Sequence, residues 1–148
     1  MPSAKNFFSA AQVKDVETAI QLAEKDTSGE IRVHIEDRCK GGDSVICAQK
    51  IFRRLKMNKT DLHNGVLFYL AVKDKSFAVI GDSGIHRHVP DGFWDLVRNK
   101  MQEQFQQAKF TEGLSAGIEM TGIELKKYFP LSSSDKNELS NDVTFGKQ

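Results

Sequence analysis

The run Val66-Leu67-Phe68-Tyr69-Leu70-Ala71-Val72 constrains this chain more than any other segment. It is far too short to span a bilayer. A continuous apolar run of this length is what a central strand buried on both faces requires. Asn64-Gly65 opens it and Lys73-Asp74-Lys75 breaks it. Phe77-Ala78-Val79-Ile80 follows at once, which predicts a hairpin, and Gly81-Asp82-Ser83-Gly84 ends the second strand.

The neighbouring segments supply partners for that strand. Glu30 to Asp37 alternates, with Ile31, Val33 and Ile35 against Glu30, Arg32, His34 and Glu36. The pattern predicts a strand with one solvated face, near a sheet edge. Ser9 caps a first helix, Gln12 stands at the capping-box position and Phe8 can staple onto Val13. Val13, Val16, Ile20 and Ala23 line one face of that helix before Thr27-Ser28-Gly29 stops it. Asp43 or Ser44 caps a second helix with Val45, Ala48, Ile51, Phe52 and Leu55 as its apolar face. A third runs from about Pro90 to Ala108, with Phe93, Trp94, Val97, Met101 and Phe105 inward. A fourth carries Leu114, Ile118, Ile123 and Leu125; its Gly113, Gly117 and Gly122 weaken it locally and let it sit close to a sheet. Pro130 ends it.

The order helix, strand, helix, strand, strand, helix, helix predicts a right-handed parallel crossover. The architecture it fits is an α/β fold, a three-layer α/β/α sandwich around a small mixed sheet. A folded domain is expected over residues 7–129, and residues 130–148, which are polar and without periodicity, read as a disordered tail.

Composition narrows the function classes. The 148 residues are 39% hydrophobic and 28% charged, which suits one soluble domain. Lys plus Arg is 21 against 20 for Asp plus Glu, and that balance argues against a nucleic-acid partner held by bulk charge. No apolar run of signal-peptide length follows Met1, so secretion by that route is not expected, nor is a membrane span. Cys39 and Cys47 lack the spacing of a zinc pair and read as free thiols of a cytoplasmic protein.

If Glu30–Asp37 and Val66–Val72 run parallel, Glu30, Asn64 and Asp82 meet at one end of the sheet, and Asp91 enters the same region. Three carboxylates and a carboxamide suit a hard divalent cation, calcium or magnesium, because such ions take oxygen ligands. The plainer reading is that these are strand-end and cap residues, where Asp and Asn are favoured anyway. The opposite end holds Glu36, Asp37, Asp43 and Asp74, for which loop solvation is the simpler reading. His86-Arg87-His88 is a weak signal for a metal or a general acid. The chain has no phosphate-binding loop of the GxxxxGK[ST] type, no GxGxxG and no GxSxG elbow.

Ser28-Gly29-Glu30-Ile31-Arg32-Val33, Asn64-Gly65-Val66-Leu67-Phe68-Tyr69-Leu70 and Asp74-Lys75 resemble the motifs of TPM domains. So do Val79-Ile80-Gly81-Asp82-Ser83-Gly84-Ile85, Pro90-Asp91-Gly92-Phe93-Trp94, and Phe110 with Gly113 and Gly117. That family is named for a thylakoid lumen protein, a photosystem repair protein and a nematode receptor modulator. The match spans roughly residues 7–129 and is nearest to small soluble bacterial members. The resemblance implies a Rossmann-like α/β/α sandwich, divalent-cation binding in some members, and an acid phosphatase activity proposed for plant members. His86 stands where many relatives carry an acidic residue, and this departure implies a weaker cation site.

Two functions follow. One is a non-catalytic, monomeric domain that binds a divalent cation and serves a protein partner. The other is a metal-assisted phosphatase acting on phosphate monoesters, with Glu30 or Asp91 as base. The first is preferred because the chain shows no nucleophile and no dedicated phosphate cradle.

Overall fold

A computed structural model describes residues 2–131 and 141–146. Helix α1 (Ala4–Phe7) leads into α2 (Ala10–Glu24), where Ser9 and Gln12 form the expected capping box. The next elements are β1 (Glu30–Glu36), α3 (Ser44–Arg54), a 3-10 turn at Met57–Lys59, β2 (Gly65–Ala71) and β3 (Ser76–Gly81). A short α4 (Ser83–His86), then α5 (Phe93–Gln106), α6 (Phe110–Tyr128) and β4 (Thr144–Phe145) complete the described residues. The strand order is β3-β2-β1-β4. β1 runs parallel to β2 with Glu30 opposite Gly65, and β3 returns antiparallel with Gly81 opposite Val66.

The two faces of the sheet explain the layers. Ile31, Val33 and Ile35 share a face with Val66, Phe68 and Leu70, and α2, α5 and α6 bury that face with Ile20, Val97, Met101, Leu114 and Ile118. Leu67, Tyr69 and Ala71 point the other way, into a smaller core closed by Ala48, Ile51 and Phe52 of α3 and by Met57. Every residue of β2 is buried, as the apolar run demands. The glycines of α6 are sites of close approach: a Cβ at Gly117 would fall 2.7 Å from Met101 Sδ and 2.9 Å from the Phe68 ring. Among the described residues no helix is long and apolar enough to cross a membrane.

Four expectations change. β1 is not a solvated edge strand, because β4 pairs with it in parallel, Thr144 opposite His34 and Phe145 opposite Ile35. Its polar residues are enclosed instead: Tyr69 donates its hydroxyl hydrogen bond to Glu36, and Thr144 Oγ1 lies 2.8 Å from His34 Nδ1. The tail is therefore ordered in part. Pro130 bridges Thr27, Val143 is buried, and Gly146 N–H donates to Ile35 O at 2.8 Å, while residues 132–140, 147 and 148 lie outside the described residues. A two-residue strand has no periodicity to read, which is why this one reads as disorder in the sequence. Cys39 and Cys47 are not free thiols but a disulfide, their Cα atoms 5.9 Å apart across the Gly41-Gly42 turn. Such bonds persist in oxidising compartments, so the thiol argument for a cytoplasmic protein falls away. The third helix starts at Phe93 rather than Pro90, because Gly92 takes φ 81° at its N-cap and the right-handed helix cannot run through it.

Candidate cation site at the start of the sheet

The parallel pairing brings the starts of β1 and β2 and the finish of β3 to one end of the sheet. There the residues divide into two groups. Glu30 is buried and its N–H donates to Asn64 O at 3.3 Å. Asn64 is buried as well; its Nδ2 donates to Ser28 Oγ at 3.2 Å, while its buried Oδ1 has no hydrogen-bond partner among the described residues. An unmatched buried acceptor is costly, and such atoms in native proteins call for an explanation.

Glu24 joins this group, a residue that the sequence alone did not single out. The turn after α2 folds back on itself with Asp26 at φ 66° and with Thr27 Oγ1 donating to Phe129 O at 2.6 Å. The reversal places Glu24 Oε2 on the N–H of Ile31, 2.7 Å away, where β4 does not reach. There Glu24 meets Glu30 carboxyl to carboxyl. Burial, and then the charge and hydrogen bond of Glu30, push the Glu24 pKa up from 4.5 to about 8, against the pull of the Ile31 N–H. The pair shares a proton at neutral pH. Arg32, whose own pKa burial lowers, is the nearest counter-charge.

A raised carboxyl pKa has a definite linkage sign. The stability held by the protonated Glu24 is complete below about 4.5 and is lost as pH rises through about 8. Glu24→Gln keeps an acceptor for Ile31 N–H and a donor for Glu30 without titrating. Its melting temperature should gain on the wild type as pH rises from 6 to 9; a gap that stays constant with pH would show that the two carboxyls do not share a proton.

The other two expected ligands stand apart. Asp82 N–H donates to Gly65 O at 2.9 Å, so its backbone is at the expected end of the sheet. Its carboxylate is engaged: Oδ1 accepts from Ser83 N–H at 2.7 Å to cap α4, and Oδ2 lies 3.3 Å from His63 Nδ1. Asp91 is exposed in the turn before α5. Among the described residues no group of three or more His, Cys, Asp or Glu side chains is arranged to hold a metal. Glu24 and Glu30 are the two carboxyls that this end brings together, and Asn64 is joined to Glu30 through the backbone.

At the far end the carboxylates do structural work. Asp43 caps α3 through Val45 and Ile46 N–H, Asp74 holds Cys39 N–H at 2.6 Å and Arg38 at 3.0 Å, and Asp37 accepts from Ala4 N–H at 2.6 Å. His86 accepts from Trp94 Nε1 at 3.1 Å and His88 stacks on Tyr128, so the two histidines do not form a metal pair.

The comparisons with known proteins agree with this architecture. The solution structure of BA42 from the psychrophilic bacterium Bizionia argentinensis is similar at 46% identity and a TM-score of 0.88, covering 99% of this chain and all of that one. The N-terminal domain of cg2496 from Corynebacterium glutamicum shares the fold at 16% identity and a TM-score of 0.66, over 90% of this chain and 84% of that one. An N-terminal domain from P. gingivalis does so at 18% and 0.68, over 83% and 79%. No curated protein sequence matches. The family model for the TPM domain matches residues 3–123, and the chain belongs to the TPM-domain family.

Proposed function

We propose that this TPM domain is a non-catalytic binding module that takes a divalent cation, calcium or magnesium, at the start of β1 and serves a protein partner. The observation that carries the reading is the buried pair of carboxyls, Glu24 and Glu30, holding one proton at the end of the sheet where Glu30 N–H meets the Asn64 backbone. A hard cation would replace that proton and take oxygen from all three side chains, its remaining positions being filled by water. With so few charged ligands the affinity belongs in the weak range, about 0.1–1 mM. Asp82 and Asp91 then tune the local charge and do not ligate. Metal-assisted hydrolysis of phosphate monoesters is the alternative.

Calcium or magnesium at ten times the dissociation constant should stabilise the protein by about 1.4 kcal/mol, measured as a rise in melting temperature. Because the cation displaces a proton, the rise should be larger at pH 8.5 than at pH 6. Glu30→Gln should abolish it and Asp74→Asn leave it intact. A generic phosphate ester should not turn over above background. Turnover that co-purifies with the protein and vanishes in Glu30→Gln would establish the phosphatase in place of the module.

A further inference from the structure

The outer edge of β3 lies open between two helices. Asp82 N–H bonds to Gly65 O, so Asp82, Ile80 and Ala78 turn their backbone groups toward β2, and Phe77, Val79 and Gly81 turn theirs outward. Ser44 Oγ takes the carbonyl of Phe77 at 3.2 Å. Among the described residues no other element bonds to the outward groups of Val79 and Gly81. The edge also lacks the usual guards: Ser76–Gly81 contains no Pro, no Lys and no bulge.

A groove of about 520 Å³ runs along this edge. Val45, Gln49 and Arg53, one turn of α3 apart from one another, form one wall, and Trp94 and Arg98 of α5 form the other. The Trp94 ring packs on Gly81, where an added Cβ would lie 2.6 Å from it. The charge is one-sided. Arg53 is exposed and makes no ion pair among the described residues, Arg98 is held only by Asp95 on its own helix, and the one carboxylate in the lining, Asp82, is occupied by its cap and by His63.

We propose that this groove receives an extended acidic segment of a partner protein, which adds to β3 as a fifth strand. Val79 and Gly81 supply the main-chain hydrogen bonds, Val45 and Trp94 cover alternate apolar side chains, and Arg53 and Arg98 meet its carboxylates. This goes beyond the cation reading and is tested in EDTA, so that failure of one leaves the other standing.

The probes are a fluorescent peptide of about ten residues alternating Glu with Val, and the same peptide with Lys for Glu. The acidic peptide should bind by fluorescence polarisation, perturb the amides of Val79 and Gly81, and bind about tenfold more weakly to an Arg53→Gln, Arg98→Gln double variant. The Lys peptide should not bind. Absence of binding by the acidic peptide at about 1 mM overturns the proposal. So does binding that leaves Val79 and Gly81 unperturbed. Naphthyl phosphate that shifts the amides of Val79 and Gly81 where the acidic peptide does not bind would overturn it and assign the groove to small anions.

Discussion

Gly84→Ala should lower the stability of this domain by about 3 kcal/mol, at the upper end of what overpacking costs. Gly84 lies in α4, directly under the loop that leads into β2, and its N–H donates to His63 O at 2.7 Å. A Cβ there would fall 2.1 Å from Leu62 O and 2.5 Å from His63 O. Both are backbone atoms, so no side-chain rotation can relieve the clash, and the loop itself must move. The melting temperature should fall by about 6–12 °C. Gly65→Ala is the control, since its nearest neighbour would be Met57 O at 3.4 Å, an ordinary contact. Equal melting temperatures for Gly84→Ala and wild type would mean that α4 does not press on that loop.

Removing residues 141–148 should cost about 2 kcal/mol, the surplus of burying Val143 and its hydrogen bonds over the entropy of ordering the segment. Val143 N–H donates to Glu17 Oε2 at 3.0 Å, Thr144 Oγ1 to Val33 O at 3.3 Å, and Gly146 N–H to Ile35 O at 2.8 Å. Loss of β4 also opens the edge of β1 and uncovers His34, now 4% exposed. The truncated protein should melt several degrees lower, and amide exchange at Ile35 should accelerate. An unchanged melting temperature would return this segment to the disorder that its composition suggests.

The parts of the fold legible in the sequence are those with local rules. The run at Val66 could only be a doubly buried strand, and the Ser9–Gln12 box and the Asp43 cap declare their helices through hydrogen bonds made within three residues. Gly117 reads correctly as a place of close approach to the sheet. What stayed hidden depends on partners far along the chain. The alternation in β1 looks solvated because nothing local reveals that Tyr69 will satisfy Glu36 or that Thr144 will reach His34. The disulfide depends on the Gly41-Gly42 reversal, which linear spacing does not measure. In the candidate site, the meeting of Glu30 with Asn64 followed from the parallel pairing. Asp82 was placed at the right end of the sheet, but a cap that forms only with α4 occupies its carboxylate. Glu24 looks like a helix-end residue until the turn at Asp26 brings it back onto β1. A carboxylate on each side of Asp26-Thr27-Ser28-Gly29 was the available signal.

An amide chemical-shift titration with calcium, then magnesium, then a phosphate ester tests the cation assignment most directly. The account predicts that both cations shift Glu24, Ser28 to Glu30 and Asn64 together, with a common weak dissociation constant, and that the phosphate ester shifts none of them. Shifts confined to Asp37, Asp43 and Asp74, or a silent start of β1 at saturating cation, would contradict it.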